Sequence, residues 1–158
     1  MNKIFPKETL KEQLNALRRA GKTIVFTNGC FDILHVGHVR YLREAKRLGD
    51  VLVLALNSDA SVRTIKGEKR PLVPEDERAD IMAALESIDY VVLFDDPTPQ
   101  RLIEFLQPDI LVKGGDWAEA AIAGADFVKA AGGRVVTIPL TEGRSTTNIV
   151  EKIRQVYG

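Results

Sequence analysis

His35-Val36-Gly37-His38 holds both histidines of the 158-residue chain. On a helix, positions i and i+3 share a face, so both imidazoles can point at one ligand. Upstream, the apolar run Ile24-Val25-Phe26 enters the polar Thr27-Asn28-Gly29-Cys30, after which apolar residues recur at helical spacing. That is a strand, a turn and a helix start. Free N–H groups and the positive end of the macrodipole at a helix start suit a phosphate, and Gly37 lets a bulky anion approach the backbone. The stretch from Thr27 to Gly49 reads as a phosphate-handling site.

Two other chemistries compete for these residues. Asp32, His35 and His38 recur every three residues and offer a metal one carboxylate and two imidazoles. On a continuous helix, however, i and i+6 face different ways, so this set ranks second. Cys30 is a candidate nucleophile, yet no third histidine exists to serve as its base. It reads as a small turn residue. An H-x-x-H pair also arises by chance, so its weight rests on its surroundings.

Those surroundings are an alternation of strands and helices. Residues 1–20 read as an irregular lead-in and an amphipathic helix, with Thr9 and Glu12 spaced as a capping box and Leu10, Leu14 and Leu17 on one stripe. Gly21-Lys22-Thr23 mimics the tail of a P-loop, but the required upstream glycine would fall at Ala16, inside that helix. Strands are expected over 22–27, 51–56, 90–94, 109–113 and 134–138. The uninterrupted apolar run Val51–Leu56 predicts a central strand buried on both faces. Helices are expected from His35 to about Leu48, after the Asn57-Ser58-Asp59 cap, from Pro74 to about Ser87, and from an N1 proline at Pro99 to about Gln107. An Ala-rich helix over 118–131 and a last one reaching about Val156 complete the set.

The expected fold class is therefore α/β, a doubly wound parallel five-stranded sheet in a single domain, 1–158, with a lead-in at 1–20 and the core at 22–157. Right-handed crossovers bring the ends of strands one, four and five to the same sheet edge, where such sheets bind ligands. Three further features lie at strand ends. Arg63, Lys66, Lys69 and Arg70, among Gly67 and Pro71, read as a cationic lid. Lys113-Gly114-Gly115-Asp116-Trp117 is a second Gly-rich turn, and Ser145-Thr146-Thr147 opens the last helix with hydroxyls. Arg78, a cation early in a helix, is a candidate for an acidic or phosphate partner. Lys plus Arg equals Asp plus Glu at 22 each, so no global field favours nucleic acid or an acidic membrane. One cysteine excludes an internal disulfide, and neither a signal peptide nor a membrane-spanning run is present, so a cytoplasmic location is expected.

Taken in order, His35 to His38, Lys66, Lys113 to Asp116 and Ser145 to Thr147 resemble the H-x-G-H nucleotidyltransferase superfamily, which is built on a Rossmann-like sheet. The likeness runs from about Lys22 to Ile153. Within it, Thr27 to Asp32, Lys66-Gly67 with Arg70-Pro71, and Val112 to Asp116 resemble the heptose-1-phosphate adenylyltransferase branch. The glycerol-3-phosphate cytidylyltransferase branch carries R-T-E-G-I-S-T-T near its end; here Leu140 replaces the leading arginine and Arg144 the isoleucine. Trp117 departs from the tyrosine common in the adenylyl branch.

The resemblance implies transfer of AMP from ATP to D-glycero-β-D-manno-heptose 1-phosphate by direct in-line attack. Glycerol 3-phosphate or flavin mononucleotide as acceptor, and a non-catalytic nucleotide sensor, are the alternatives. It implies that His35, His38 and Lys66 carry the chemistry. Thr27, Asn28, Gly29, Cys30, Phe31, Gly37, Lys113, Gly114, Asp116, Ser145, Thr146 and Thr147 would hold the nucleotide. Asp32, Arg63, Arg70, Arg78 and Arg144 are phosphate or acceptor candidates, and Mg²⁺ arrives with ATP, without a protein metal site. A homodimer without nucleic-acid or membrane partners is expected.

Overall fold

The computed structural model describes residues 2–115 and 117–158; Asp116, counted above among the nucleotide-binding residues, lies outside them. Five strands, β1 (Ile24–Gly29), β2 (Val51–Asn57), β3 (Tyr90–Phe94), β4 (Ile110–Gly114) and β5 (Arg134–Ile138), pair in parallel in the order β3-β2-β1-β4-β5. Parallel neighbours require crossovers, and the helices that supply them cover both faces. On one face α1 (Lys7–Arg19), α5 (Gln100–Leu106) and α6 (Ala125–Ala130) pack Leu10, Leu14, Ile103, Leu106 and Val128 against Ile24, Phe26, Val53 and Leu111. On the other, α2 (Val36–Lys46) and α4 (Glu75–Ala83) pack Leu42, Ala45 and Met82 against Val25, Leu52, Leu54, Leu56 and Val112. Alternate residues of β2 thus enter opposite cores, and all seven are buried. This explains a strand sequence with no polar alternation. Each buried Val or Leu of this strand contributes roughly 1.5–3 kcal/mol. Two further helices, α3 (Asp59–Lys66) and α7 (Thr146–Tyr157), lead away from or into the carboxyl edge of the sheet.

Several local expectations are corrected. The Leu10, Leu14, Leu17 stripe faces the core as expected, but α1 starts behind Pro6, whose fixed φ suits a helix entry. Thr9 then falls inside the first turn, and the Thr9–Glu12 capping box does not form. Ser58 and Ser145 do cap, accepting from the N–H of Ser61 at 3.2 Å and of Asn148 at 3.1 Å. The run Val51–Leu56 is an interior strand, yet the middle position belongs to β1, because the chain crosses back after β3 to place β4 on the far side. Hydrophobicity reports two covered faces, not rank within a sheet. Pro99 is the N-cap of α5 instead of its first helical residue, α2 ends at Lys46, and α4 ends at Ala83.

The largest departure is the Ala-rich segment. It forms only a 3-10 turn at Glu119–Ala121 and then the six-residue α6, separated by Gly124 in a left-handed conformation at φ +83°. A Cβ at Gly124 would lie 2.6 Å from Ile103 Cδ1, so the close approach of α5 breaks what Ala propensity favours. No helix among the described residues is long and apolar enough to cross a membrane.

Gly132 offers the comparison, with φ +85° but nothing within 4 Å of an added Cβ. Gly132→Ala should cost about 1–2 kcal/mol for its left-handed backbone alone, whereas Gly124→Ala adds overpacking of about 1–3 kcal/mol. Urea unfolding of the two variants measures this, and equal losses would show that the contact with Ile103 carries no weight.

Candidate active site at the carboxyl ends of the strands

A cavity of about 330 Å³ opens at the carboxyl edge of the sheet. The turn after β1 supplies Asn28, Gly29, Cys30, Phe31 and Asp32, and the start of α2 supplies His35, Gly37, His38 and Tyr41. Lys66 comes from the end of α3, Lys113 and Gly114 from the end of β4, and Leu140, Thr141, Arg144, Ser145, Thr146 and Thr147 from the segment entering α7. A larger cleft of about 610 Å³ lies beside Thr23, Asp109 and Arg134 at the opposite edge. Open α/β sheets take their ligands at the carboxyl edge, and the histidines stand there.

His35 is the N-cap residue of α2, in extended conformation, and His38 sits in the first turn. Their rings stack with centroids 3.8 Å apart and planes 25° apart, and Phe31 meets His38 edge-on at 4.9 Å. The Nδ1 atoms of both histidines are buried with no hydrogen-bond partner among the described residues. An unmet buried polar atom costs about 1–3 kcal/mol, so two in adjoining rings call for an explanation of the kind a functional site supplies. Burial, then His35 and Lys66, lower the His38 pKa to about 4; burial and then Arg144 lower that of His35. Both rings are therefore neutral at pH 7, each with one N–H to donate. A Cβ at Gly37 would come within 2.9 Å of the His35 ring. On that side the missing Cβ makes room for the His35 imidazole, while Gly37 itself lines the cavity.

Other expected site residues do not reach the cavity. Thr27 is fully buried, its hydroxyl bonded to Tyr41 Oη at 2.6 Å and donating to the Val112 carbonyl at 3.1 Å. It braces the wall instead of lining it. Arg63 is exposed and does not line the cavity, and Arg70 pairs with Asp32 at 2.8 Å. Arg78, read above as a ligand partner, is 1% exposed and spends its guanidinium on Cys30, Asn57, Val73 and Asp59. A helix-start cation whose partners are three protein carbonyls and a carboxylate gives no sign of this in sequence. Asp32, His35 and His38 do not assemble as a metal set: no cluster of three His, Cys, Asp or Glu suited to a metal occurs among the described residues. Burial raises the Cys30 thiol, keeping it protonated and inert, as a turn residue would be. Burial also lowers the Lys113 ammonium, which lies 5.4 Å from the centroid of Trp117.

Tyr41, Leu140 and Thr141 line the cavity unanticipated. Tyr41 follows His38 by three residues and so shares its helix face, a signal the apolar stripe of α2 conceals. Burial, against the Thr27 hydrogen bond, pushes its hydroxyl up to about 12.

The sequence model of the cytidylyltransferase-like family matches residues 26–152, which span the whole of this site. The chain belongs to the cytidylyltransferase-like family. Among curated relatives, the bifunctional protein HldE of Syntrophotalea carbinolica is 60% identical over 156 residues, covering 99% of this chain and 32% of that protein. HldE of Geobacter metallireducens is 62% identical over 145 residues, 92% of this chain and 30% of its own. The chain thus spans about a third of the length of these relatives. Among solved structures, the lipopolysaccharide core biosynthesis protein from Thermoplasma volcanium is 28% identical with a TM-score of 0.64, covering 78% of this chain and all of the other. A cytidylyltransferase-like domain fits both the single five-stranded sheet and the two-histidine crevice.

The lowered His38 pKa has a measurable consequence. Between about pH 6.5 and 4 the unfolded chain binds a proton that the folded chain refuses, so stability rises with pH there and falls on acidification. NMR titration should find His38 protonating near pH 4, and thermal unfolding should show a loss of stability from pH 6.5 to 4 that shrinks in His38→Gln. A normal midpoint near 6.5 would contradict the buried, stacked geometry.

Proposed function

We propose that this protein transfers AMP from ATP to D-glycero-β-D-manno-heptose 1-phosphate, giving ADP-heptose and pyrophosphate. The observation that carries this reading is the convergence of the stacked histidines, Lys66 and the hydroxyl-rich start of α7 on one cavity. The branch signature supports the adenylyl choice, with Leu140 standing at the cavity where the cytidylyl branch has arginine. The similar Thermoplasma volcanium structure is that of a lipopolysaccharide core biosynthesis protein.

In this mechanism a phosphate oxygen of the sugar 1-phosphate attacks the α-phosphorus, the bond from that phosphorus to the bridging oxygen breaks, and pyrophosphate leaves with the electron pair. The nucleophile is already anionic, so no base is needed, and the protein contributes position and charge stabilisation. Neutral His35 and His38 donate N–H bonds to α- and β-phosphate oxygens, and a neutral donor keeps its proton as charge builds. Lys66 neutralises the departing pyrophosphate. The free N–H groups of the first turn of α7, with the Ser145 and Thr147 hydroxyls, hold the outer phosphates. Thr146 Oγ1 donates to the Ile33 carbonyl at 3.4 Å, which fastens this helix start to the turn after β1. Arg144 and Lys113, which also line the cavity, add positive charge there. Both Asp32 oxygens already accept protein hydrogen bonds, so Mg²⁺ fits on the triphosphate, whose charge it would partly neutralise.

His38→Ala should lower kcat by about 10²–10³-fold, on the scale of a lost oxyanion donor at about 2.7–4 kcal/mol. Pyrophosphate release is followed with ATP or CTP against heptose 1-phosphate, glycerol 3-phosphate and flavin mononucleotide. Turnover confined to CTP and glycerol 3-phosphate would overturn the substrate assignment, and ATP binding with no product from any acceptor would favour a sensor.

A further inference from the structure

Arg70 and Arg78 stand beside the cavity without bordering it, and what they hold is informative. The Arg78 Nη1 donates to the Cys30 carbonyl at 2.6 Å and the Asn57 carbonyl at 2.9 Å, Nε to the Val73 carbonyl at 2.9 Å, and Nη2 to Asp59 at 2.7 Å. Asp32 is 5% exposed. Its carboxylate accepts from Arg70 Nη1 at 2.8 Å, from the Leu72 N–H at 2.8 Å and from the Val73 N–H at 2.9 Å. Segment 70–73 is thus gripped from two sides, by a carboxylate on the turn after β1 and by a guanidinium on α4.

The same two grips flank Phe31. Cys30 is bound by Arg78, Asp32 binds the segment, and Phe31 between them has a left-handed backbone at φ +47°. An aromatic residue in that region costs of order 1–3 kcal/mol and persists only where its surroundings over-determine it. Its ring is the edge against His38. At the far end of the segment, residues 67–69 are exposed and join Arg70 to Lys66, the residue that closes α3 at the cavity. Because the polar atoms of Asp32 and Arg78 are engaged by protein, neither offers itself to a ligand without breaking the arrangement.

We propose that Asp32 and Arg78 are a pair of positioning residues that clamp the Phe31 turn and the 70–73 segment together, so that His38 and Lys66 face one cavity. This rests on the reading of that cavity as the active site, but its main test requires no turnover. Removing Arg78 leaves four protein acceptors unmet, the buried Asn57 carbonyl among them, and invites unfolding, so Asp32→Asn and Arg70→Gln are the variants of choice.

In the full chain, at a temperature well below unfolding, tryptic cleavage after Lys66 and Lys69 should rise about tenfold or more in both variants, since a released segment opens locally while the fold persists. His38 should titrate above its wild-type value of about 4, because the Phe31 edge no longer shields it. With ATP and a sugar 1-phosphate, kcat should fall between about 10-fold and 10²-fold, the cost of misplacing a catalytic group, with a smaller change in KM. Should Asp32→Asn not fold, Arg70→Gln carries the same readouts. Unchanged cleavage and His38 titration overturn the clamp, and if turnover nonetheless falls, Asp32 acts on the ligand directly. If cleavage and titration change as expected while the wild-type protein turns over none of the substrates, the clamp stands and the transfer reading falls.

Discussion

The parallel pairing of all five strands is the constraint on which the rest of this structure depends. Parallel neighbours point their carboxyl ends the same way, so the turns that follow β1, β4 and β5 must emerge along one edge. β1 in the middle of the sheet has β2 on one side and β4 on the other, and it delivers the histidine turn to the centre of that edge. The two apolar cores exist to hold this sheet between helices. Their side chains do no chemistry, yet they decide which polar groups can meet.

What meets there is electrostatically lopsided, although the chain as a whole is neutral. Lys66, Lys113 and Arg144 border the cavity, and Asp32, the carboxylate among the described lining residues, is occupied by Arg70 and two backbone N–H groups. Burial would raise the Asp32 carboxyl, but bonds from Arg70, Val73 and Leu72 hold it below its usual range, so it remains an anion spoken for within the protein. Burial acts on the bases in the opposite sense, keeping both imidazoles neutral. Positive charge is thereby left to the lysines and arginine while the histidines keep a hydrogen to donate. Two stacked imidazolium ions 3.8 Å apart would repel, so the stack is itself consistent with neutral rings.

Legibility varied by the kind of interaction involved. Strand positions were readable because an unbroken apolar run such as Val51–Leu56 tolerates few other environments. Serine caps at Ser58 and Ser145 were readable because capping is local. The Ala-rich 118–131 segment was misread because the deciding contact, Gly124 against Ile103, spans distant sequence. Arg78 was misread for the same reason, with three of its four partners outside its own helix and its approach, at Cys30, Asn57 and Asp59. Tyr41 escaped notice because a tyrosine on an apolar stripe resembles core until the wall it leans on is seen.

By itself the order of residues determined the α/β alternation, the two-core sandwich and the cluster of histidine, lysine and hydroxyl residues at strand ends. Those properties follow from periodicity, local capping and chain connectivity, which act over a few residues at a time. Only the tertiary structure decided which charged side chains face the cavity and which are consumed in holding it. A guanidinium or carboxylate looks the same in sequence whether its partner is a ligand or a backbone group dozens of residues away, and burial alone settles which of them it is.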